Sequence, residues 1–159
     1  VSIEEEKEVL ELYLELEQMR FERSFECEMI VDEDLETDEI LLPSMLLQPY
    51  VENALWHGLM HKQGDRKMKI EFRRVSEDIF RCIIDDNGIG RKQSFALKEQ
   101  QSKAKRHESK GLKISKDRLT LLERQGYHAG IEIIDKTDEA GNALGTTVII
   151  ELSTFLKNI

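Results

Sequence analysis

Cysteine is scarce in this 159-residue chain: Cys27 and Cys82 are the two present, far apart and each inside a strand-like run. That spacing speaks against a disulfide and predicts buried free thiols in a reducing, cytoplasmic setting. Long apolar runs are missing as well. No stretch approaches the roughly 20 residues that span a bilayer, and no signal peptide is visible, so no membrane contact is expected of this chain. Positive charge is short: 23 Lys and Arg stand against 32 Asp and Glu, a net charge of −9. Nucleic-acid phosphates need a basic surface, so nucleic acid is not expected as the main partner. An initiator methionine is also lacking. The chain opens Val1-Ser2-Ile3 and reads as a piece of a longer protein, with an upstream half expected. The length suits one domain with an appendage, and a core that needs no staples.

Residues 2–22 predict a helix: Ser2 and Glu5 have capping-box spacing, and the interior is rich in Glu and Leu without Gly or Pro. Its apolar residues fall into two stripes. Val9, Leu12, Tyr13, Leu16 and Met19 follow helical spacing, and Ile3, Leu10, Leu14 and Phe21 lie about 120–140° around the helix. The first stripe is expected in the domain core and the second against an upstream segment or a second subunit; one broad buried face satisfies the same pattern. Residues 25–31 predict a short strand and 32–38 a solvated acidic turn. Pro43 is expected to open a helix that Gly58 ends, with Pro49 kinking it or delaying its start. Further strands are expected over 67–75, 78–85, 130–135 and 146–152, and a helix over 112–125. The polar residues 91–109 are expected to be a structureless lid. Strands joined mostly as hairpins, with three helices, imply an α+β fold: a two-layer α/β sandwich whose mixed, mostly antiparallel sheet is covered by helices on one face.

The chemistry concentrates at a few turns. Asp85-Asp86-Asn87-Gly88-Ile89-Gly90 follows an apolar, β-rich run, so a carboxylate sits where a strand stops and glycines admit close backbone approach. A carboxylate at Asp86 accepts from an exocyclic amino group, which selects adenine over guanine; Asp85 suits a plain turn role. Asn53 and His57, four apart, share a helix face. The amide oxygen of Asn53 suits a hard cation such as Mg²⁺, and His57 is placed either to donate to phosphate or to cap the helix end. Lys110-Gly111-Leu112 precedes a helix whose first amides suit an anion, with Lys110 and Lys113 adding charge; a solvated helix start fits equally. Gly145-Thr146 starts the last strand, where a hydroxyl reaches a base through water or simply closes a turn.

Four of these motifs together carry a resemblance. Gln48-Pro49-Tyr50-Val51-Glu52-Asn53-Ala54-Leu55-Trp56-His57-Gly58 resembles the N box of LytS-type sensor histidine kinases, and Asp86-Asn87-Gly88-Ile89-Gly90 their first glycine box. Lys110-Gly111-Leu112 with Asp117-Arg118-Leu119 resembles the second glycine box, and Gly145-Thr146-Thr147-Val148 the last glycine-threonine element. The resemblance implies a Bergerat (GHKL) ATP-binding fold, with residues 1–24 as the connector after a phosphoacceptor region and 25–159 as the catalytic domain with a lid over 91–110. It implies ATP and Mg²⁺ as ligands, with Asn53 on the metal, Asp86 on adenine, and Gly88, Gly90, Lys110, Gly111, Leu112 and Thr146 shaping the nucleotide pocket. Asn53, His57 and Glu52 are the expected catalytic residues, and Arg118 a further contact. It also implies transfer of the γ-phosphoryl group to a histidine outside this chain, on an upstream helix of the same protein or its dimer mate, for relay to a response regulator. The full-length protein is expected to be a homodimer in a bacterial inner membrane.

Two positions depart from the pattern: Ser109 replaces a glycine of the second glycine box, and Ile114 an asparagine. They motivate an alternative, a degenerate GHKL interaction module with little or no nucleotide binding. A hydrolysing ATPase of the same fold carries a glutamate base one turn before the asparagine; here that position is Pro49. None of His57, His61, His107 or His128 lies in a helix suited to accept phosphate.

Overall fold

The computed structural model describes residues 1–101 and 110–157. Ser109, His107 and most of the second half of the expected lid fall outside the described residues. Five strands form one sheet in the order β1-β2-β3-β5-β4: β1 (Glu26–Val31), β2 (Lys67–Arg74), β3 (Ile79–Asp86), β4 (Ala129–Thr137) and β5 (Ala143–Ser153). β1 pairs with β2 in parallel and every other pair is antiparallel, the mixed sheet read from the hairpin spacing. Alternation along β2, β3 and β5 sends Ile70, Phe72, Phe80, Cys82, Ile84 and Ile150 into the core, all at 1% exposure or less. Both cysteines are free thiols, and burial pushes Cys27 up to about 11.

α1 (Ile3–Arg20) begins as expected, with a capping box: the Glu5 amide donates to Ser2 Oγ at 3.1 Å and the Ser2 amide to Glu5 Oε2 at 2.8 Å. The two stripes are exchanged, however. Ile3, Leu10 and Leu14 enter the core, whereas Val9, Leu12, Leu16 and Met19 are 47–63% exposed. The reason is Glu6, which lies in the Ile3–Leu10–Leu14 stripe and makes it look polar. Its carboxylate is buried because it accepts the backbone amides of Met45 and Leu47.

Further expectations are corrected. Pro43 does not open a helix: α2 (Gln48–Asn53) starts later, with Pro49 in its first turn where the missing N–H has no helical partner to lose. Gly58 does not end it, since the chain runs on through a π-helical turn, Ala54–Gly58, and a 3₁₀ turn, Leu59–His61. The segment after Gly90 is not structureless; Arg91–Gln101 forms α3, as its run of helix formers without Gly or Pro allows. The acidic residues 32–38 form the expected solvated turn, with Glu33, Asp34, Glu36 and Asp38 exposed, and Asp32 anchors it by accepting from Arg73 Nη1 at 2.7 Å and the Arg74 amide at 2.9 Å. α4 (Lys110–Arg124) packs Leu119 and Leu122 inward, so Lys110-Gly111-Leu112 forms its first described turn rather than preceding it.

Candidate functional site

Asp86 is the last residue of β3 and shares the inward face with Ile84, Cys82 and Phe80, while Asp85 points to the other face. Asp85 there accepts from Thr147 Oγ1 and pairs with Lys136 at 2.8 Å. The carboxyl group of Asp86 is 4% exposed, and its Oδ1 accepts the Gly88 amide at 2.8 Å. Burial raises its pKa to about 6, against the pull of the Gly88 amide and the Lys136 charge. Three glycines give the turn its room. A Cβ on Gly88 would lie 2.4 Å from the Gly58 carbonyl carbon, and one on Gly145 2.0 Å from the Asp86 carbonyl oxygen; Gly145 also has φ +122. A Cβ on Gly58 would sit 3.1 Å from Asp86 Oδ1.

Asp86 opens into a cleft of about 670 Å³ between the helical layer and the far half of the sheet. Asn53 and His57 line the same cleft, as do Gly90, Leu112 and Thr146. Gly90, at φ +82, turns the chain from the strand end into α3. Five of the expected residues are not among the cleft lining: Gly88, Lys110, Gly111, Glu52 and Arg118. Gly88 packs behind the cleft, against Gly58. Glu52 is a correction: it follows α2 about 100° round from Asn53, and its carboxylate accepts from Gln48 Nε2 at 2.9 Å on the side toward Tyr13 of α1. Arg118 also points elsewhere, donating to the Ser44 carbonyl at 2.6 Å.

Sequence reasoning missed several walls. Lys116 of α4 lines the cleft beside Lys113, one turn past the motif that drew attention, next to Asp117 of the second glycine box. Ile131 and Ile133 of the edge strand β4 and Phe95 of α3 supply apolar surface; alternation in β4 was the available signal. Arg91 of α3 reaches across to Asp135 of β4 in a two-point pair, Nε to Oδ1 at 2.8 Å and Nη2 to Oδ2 at 2.6 Å. Ile114 is 57% exposed and stands outside the cleft.

Among the described residues no three His, Cys, Asp or Glu side chains group as a metal site. Asn53 remains as a neutral oxygen donor, which fits a cation such as Mg²⁺ that takes its other ligands from water and phosphate. The cleft is within the size range of small-molecule sites, with an acceptor buried at one end and lysines on its wall.

The fold is similar to that of solved histidine-kinase catalytic domains. It superimposes on the catalytic domain of the histidine kinase ThkA with a TM-score of 0.58 at 13% identity, covering 99% of this chain and 97% of that one. The mycobacterial sensor histidine kinase MprB gives 0.55 at 19% identity over 92% and 93%. At such identities the likeness speaks for the fold alone.

In sequence the chain is similar to LytS-type sensors. It is 33% identical over 90 residues to the sensor protein LytS of Bacillus cereus, covering 57% of this chain and 15% of that protein. The sensor histidine kinase BtsS of Escherichia coli is 29% identical over 89 residues, 56% of this chain and 16% of its own length. YwpD of Bacillus subtilis, a putative uncharacterized protein by name, is 33% identical over 89 residues, 56% and 31% respectively. The chain thus spans less than a third of the length of these relatives. No family model matches it.

Proposed function

We propose that this domain is the ATP-binding, catalytic part of a two-component sensor histidine kinase, and that it holds Mg-ATP for phosphoryl transfer to a histidine outside this chain. One observation carries the reading: Asn53 and Asp86, from a helix and a strand end far apart in sequence, open into one cleft. Asp86 accepts the adenine amino group, and the apolar side chains of Leu112 and Ile131 flank the base. Lys113 and Lys116 face the phosphates, with Asn53 on Mg²⁺ and His57 donating nearby. Mg²⁺ supplies charge neutralisation on the phosphates. A neutral imidazole nitrogen attacks the γ-phosphorus as its bond to the bridging oxygen breaks, and ADP leaves carrying that oxygen. The phosphoryl group then passes to an aspartate on a response regulator.

Among the described residues the cleft lining contains no glutamate, position 49 one turn before Asn53 is proline, and the Glu52 carboxylate is engaged by Gln48. Slow hydrolysis and transfer to an external acceptor follow from that chemistry. Ile114 lies outside the cleft and two lysines line it, which favours a binding domain over the degenerate alternative. The exposed residues Val9, Leu12, Leu16 and Met19 are spaced three, four and three apart, the seam of a helix that meets another helix. We assign to it the upstream phosphoacceptor helix or a dimer mate. Among the described residues no helix is long and apolar enough to cross a membrane; inner-membrane anchorage belongs to the longer protein in this reading. The test is calorimetric titration with Mg-ATP of the wild type, Asp86→Asn and Asn53→Ala. Binding by the wild type and its loss in Asp86→Asn are expected; no wild-type binding at millimolar ligand would sink the assignment.

A further inference from the structure

α1 touches the segment that carries Asn53 and His57 at two separate points. Near its start, the Glu6 carboxylate, 3% exposed, accepts the amides of Met45 at 3.0 Å and Leu47 at 3.2 Å, the residues that lead into α2. Burial raises the Glu6 pKa while those two amides pull it down. Just past its end, Phe21 meets the Trp56 ring edge-on, with centroids 5.0 Å apart at 74°. The Arg20 guanidinium lies 5.2 Å from the Trp56 centroid and 5.6 Å from that of Phe21. The Tyr13 hydroxyl is buried beside the same indole, and burial pushes its pKa up to about 12.

What lies between the two points is the cleft wall. Trp56 belongs to the π-helical turn and precedes His57; the Leu59 amide at the end of that turn is shared by the Ala54 and Leu55 carbonyls. Single π turns are rare, cluster at functional sites, and compete with a regular helix that would rotate the residues beyond them. Their surroundings therefore decide the register, and here the surroundings on the side away from the cleft are α1.

We propose that α1 clamps this segment, and that Glu6, Phe21 and Trp56 are positioning residues that set the register in which Asn53 and His57 enter the cleft. The inference rests on the reading of that cleft as a Mg-ATP site. Asp86 borders the turn at Gly58, but its backbone is fixed by pairing with Met68 and Thr146 in the sheet and its carboxylate is held by the Gly88 amide. The clamp thus governs the metal and phosphate end more than the base end. Release of Glu6 leaves the lead-in attached on its other side, where Ser115 Oγ donates to the Leu46 carbonyl at 2.9 Å and Arg118 to that of Ser44 at 2.6 Å.

The experiment is calorimetric titration of wild type, Glu6→Gln and Phe21→Ala with Mg-ATP and, separately, with adenosine, alongside thermal melts. Gln keeps the size of Glu6 but accepts only one of the two amides well. Both variants are expected to fold and to lose about tenfold in Mg-ATP affinity, with adenosine affinity changed by less than about twofold. Unchanged Mg-ATP affinity in the folded variants overturns the clamp, and so does equal weakening of both ligands, which marks a general structural defect. If Phe21→Ala does not fold, Glu6→Gln decides alone. A wild type that binds neither ligand defeats the reading of the cleft itself and the clamp with it, a result distinct from the first two.

Discussion

Gly58 and Asp86 are in contact across the fold: a methyl group on Gly58 would lie 3.1 Å from Asp86 Oδ1. The glycine that follows the Trp-His pair is there to seat a carboxyl group from the sheet. Gly58→Ala is expected to fold with a stability change within about 1 kcal/mol, since its φ of −102 suits alanine and the side chain opposite has some play. Adenosine affinity should fall about fivefold or more as the carboxylate is pushed aside. Gly145→Ala, whose Cβ would sit 2.0 Å from a backbone oxygen, is expected to cost at least about 3 kcal/mol. Chemical denaturation and titration of both variants check the contrast.

The raised pKa of Asp86 makes two pH statements. The ionised carboxylate is the stronger acceptor for the adenine amino group and presents no competing O–H, so ATP affinity should decline as pH falls through about 6, and Asp86→Asn should bind weakly at every pH. Stability runs the other way. The folded state holds the Asp86 proton more tightly than the unfolded chain does, so stability declines as pH rises from about 4 to about 6 and stays lower above that. Asp86→Asn should therefore stabilise the fold by up to roughly 3 kcal/mol at neutral pH and by nothing below about pH 4. Melts across pH 4–8 check both signs; a destabilised Asp86→Asn at pH 7 would show that the hydrogen bonds to the carboxylate outweigh its burial.

Lys113 and Lys116 stand one turn apart on the cleft wall. Lys116→Ala is expected to weaken Mg-ATP binding roughly three- to tenfold, leave adenosine binding unchanged and flatten the salt dependence of Mg-ATP binding, because an exposed ammonium acts over a screened distance. Titration at two ionic strengths measures all three.

The exchange of stripes on α1 is decided by a pair of neighbours. Leu10, fully buried, should cost about 2–5 kcal/mol on change to alanine. Leu12, 59% exposed, should shift the stability of the isolated domain by no more than about 0.5 kcal/mol. Its loss is expected to show instead in self-association or in assembly with an upstream helix, readable by sedimentation.

Local patterns were legible and tertiary decisions were not. The capping box and all five strands follow from spacing and period-two alternation. The stripe of α1 that enters the core did not, because a buried Glu6 disguises it and its partners are backbone amides some forty residues away. The same holds for Gly58, which sequence marks as a helix end and the fold uses for clearance. Lys116 went unnoticed because nothing local distinguishes a cleft wall from an ordinary exposed helix face. Glu52 was drawn in by its neighbour Asn53 although helix geometry turns it away.

Trp56 is the only tryptophan in the chain. It rests on Phe21 and Arg20 on one side and adjoins a cleft residue on the other. The intrinsic emission of the unlabelled protein therefore comes from a single fluorophore at the junction of α1 and the cleft, so quenching or a spectral shift on adding ligand reads that junction directly.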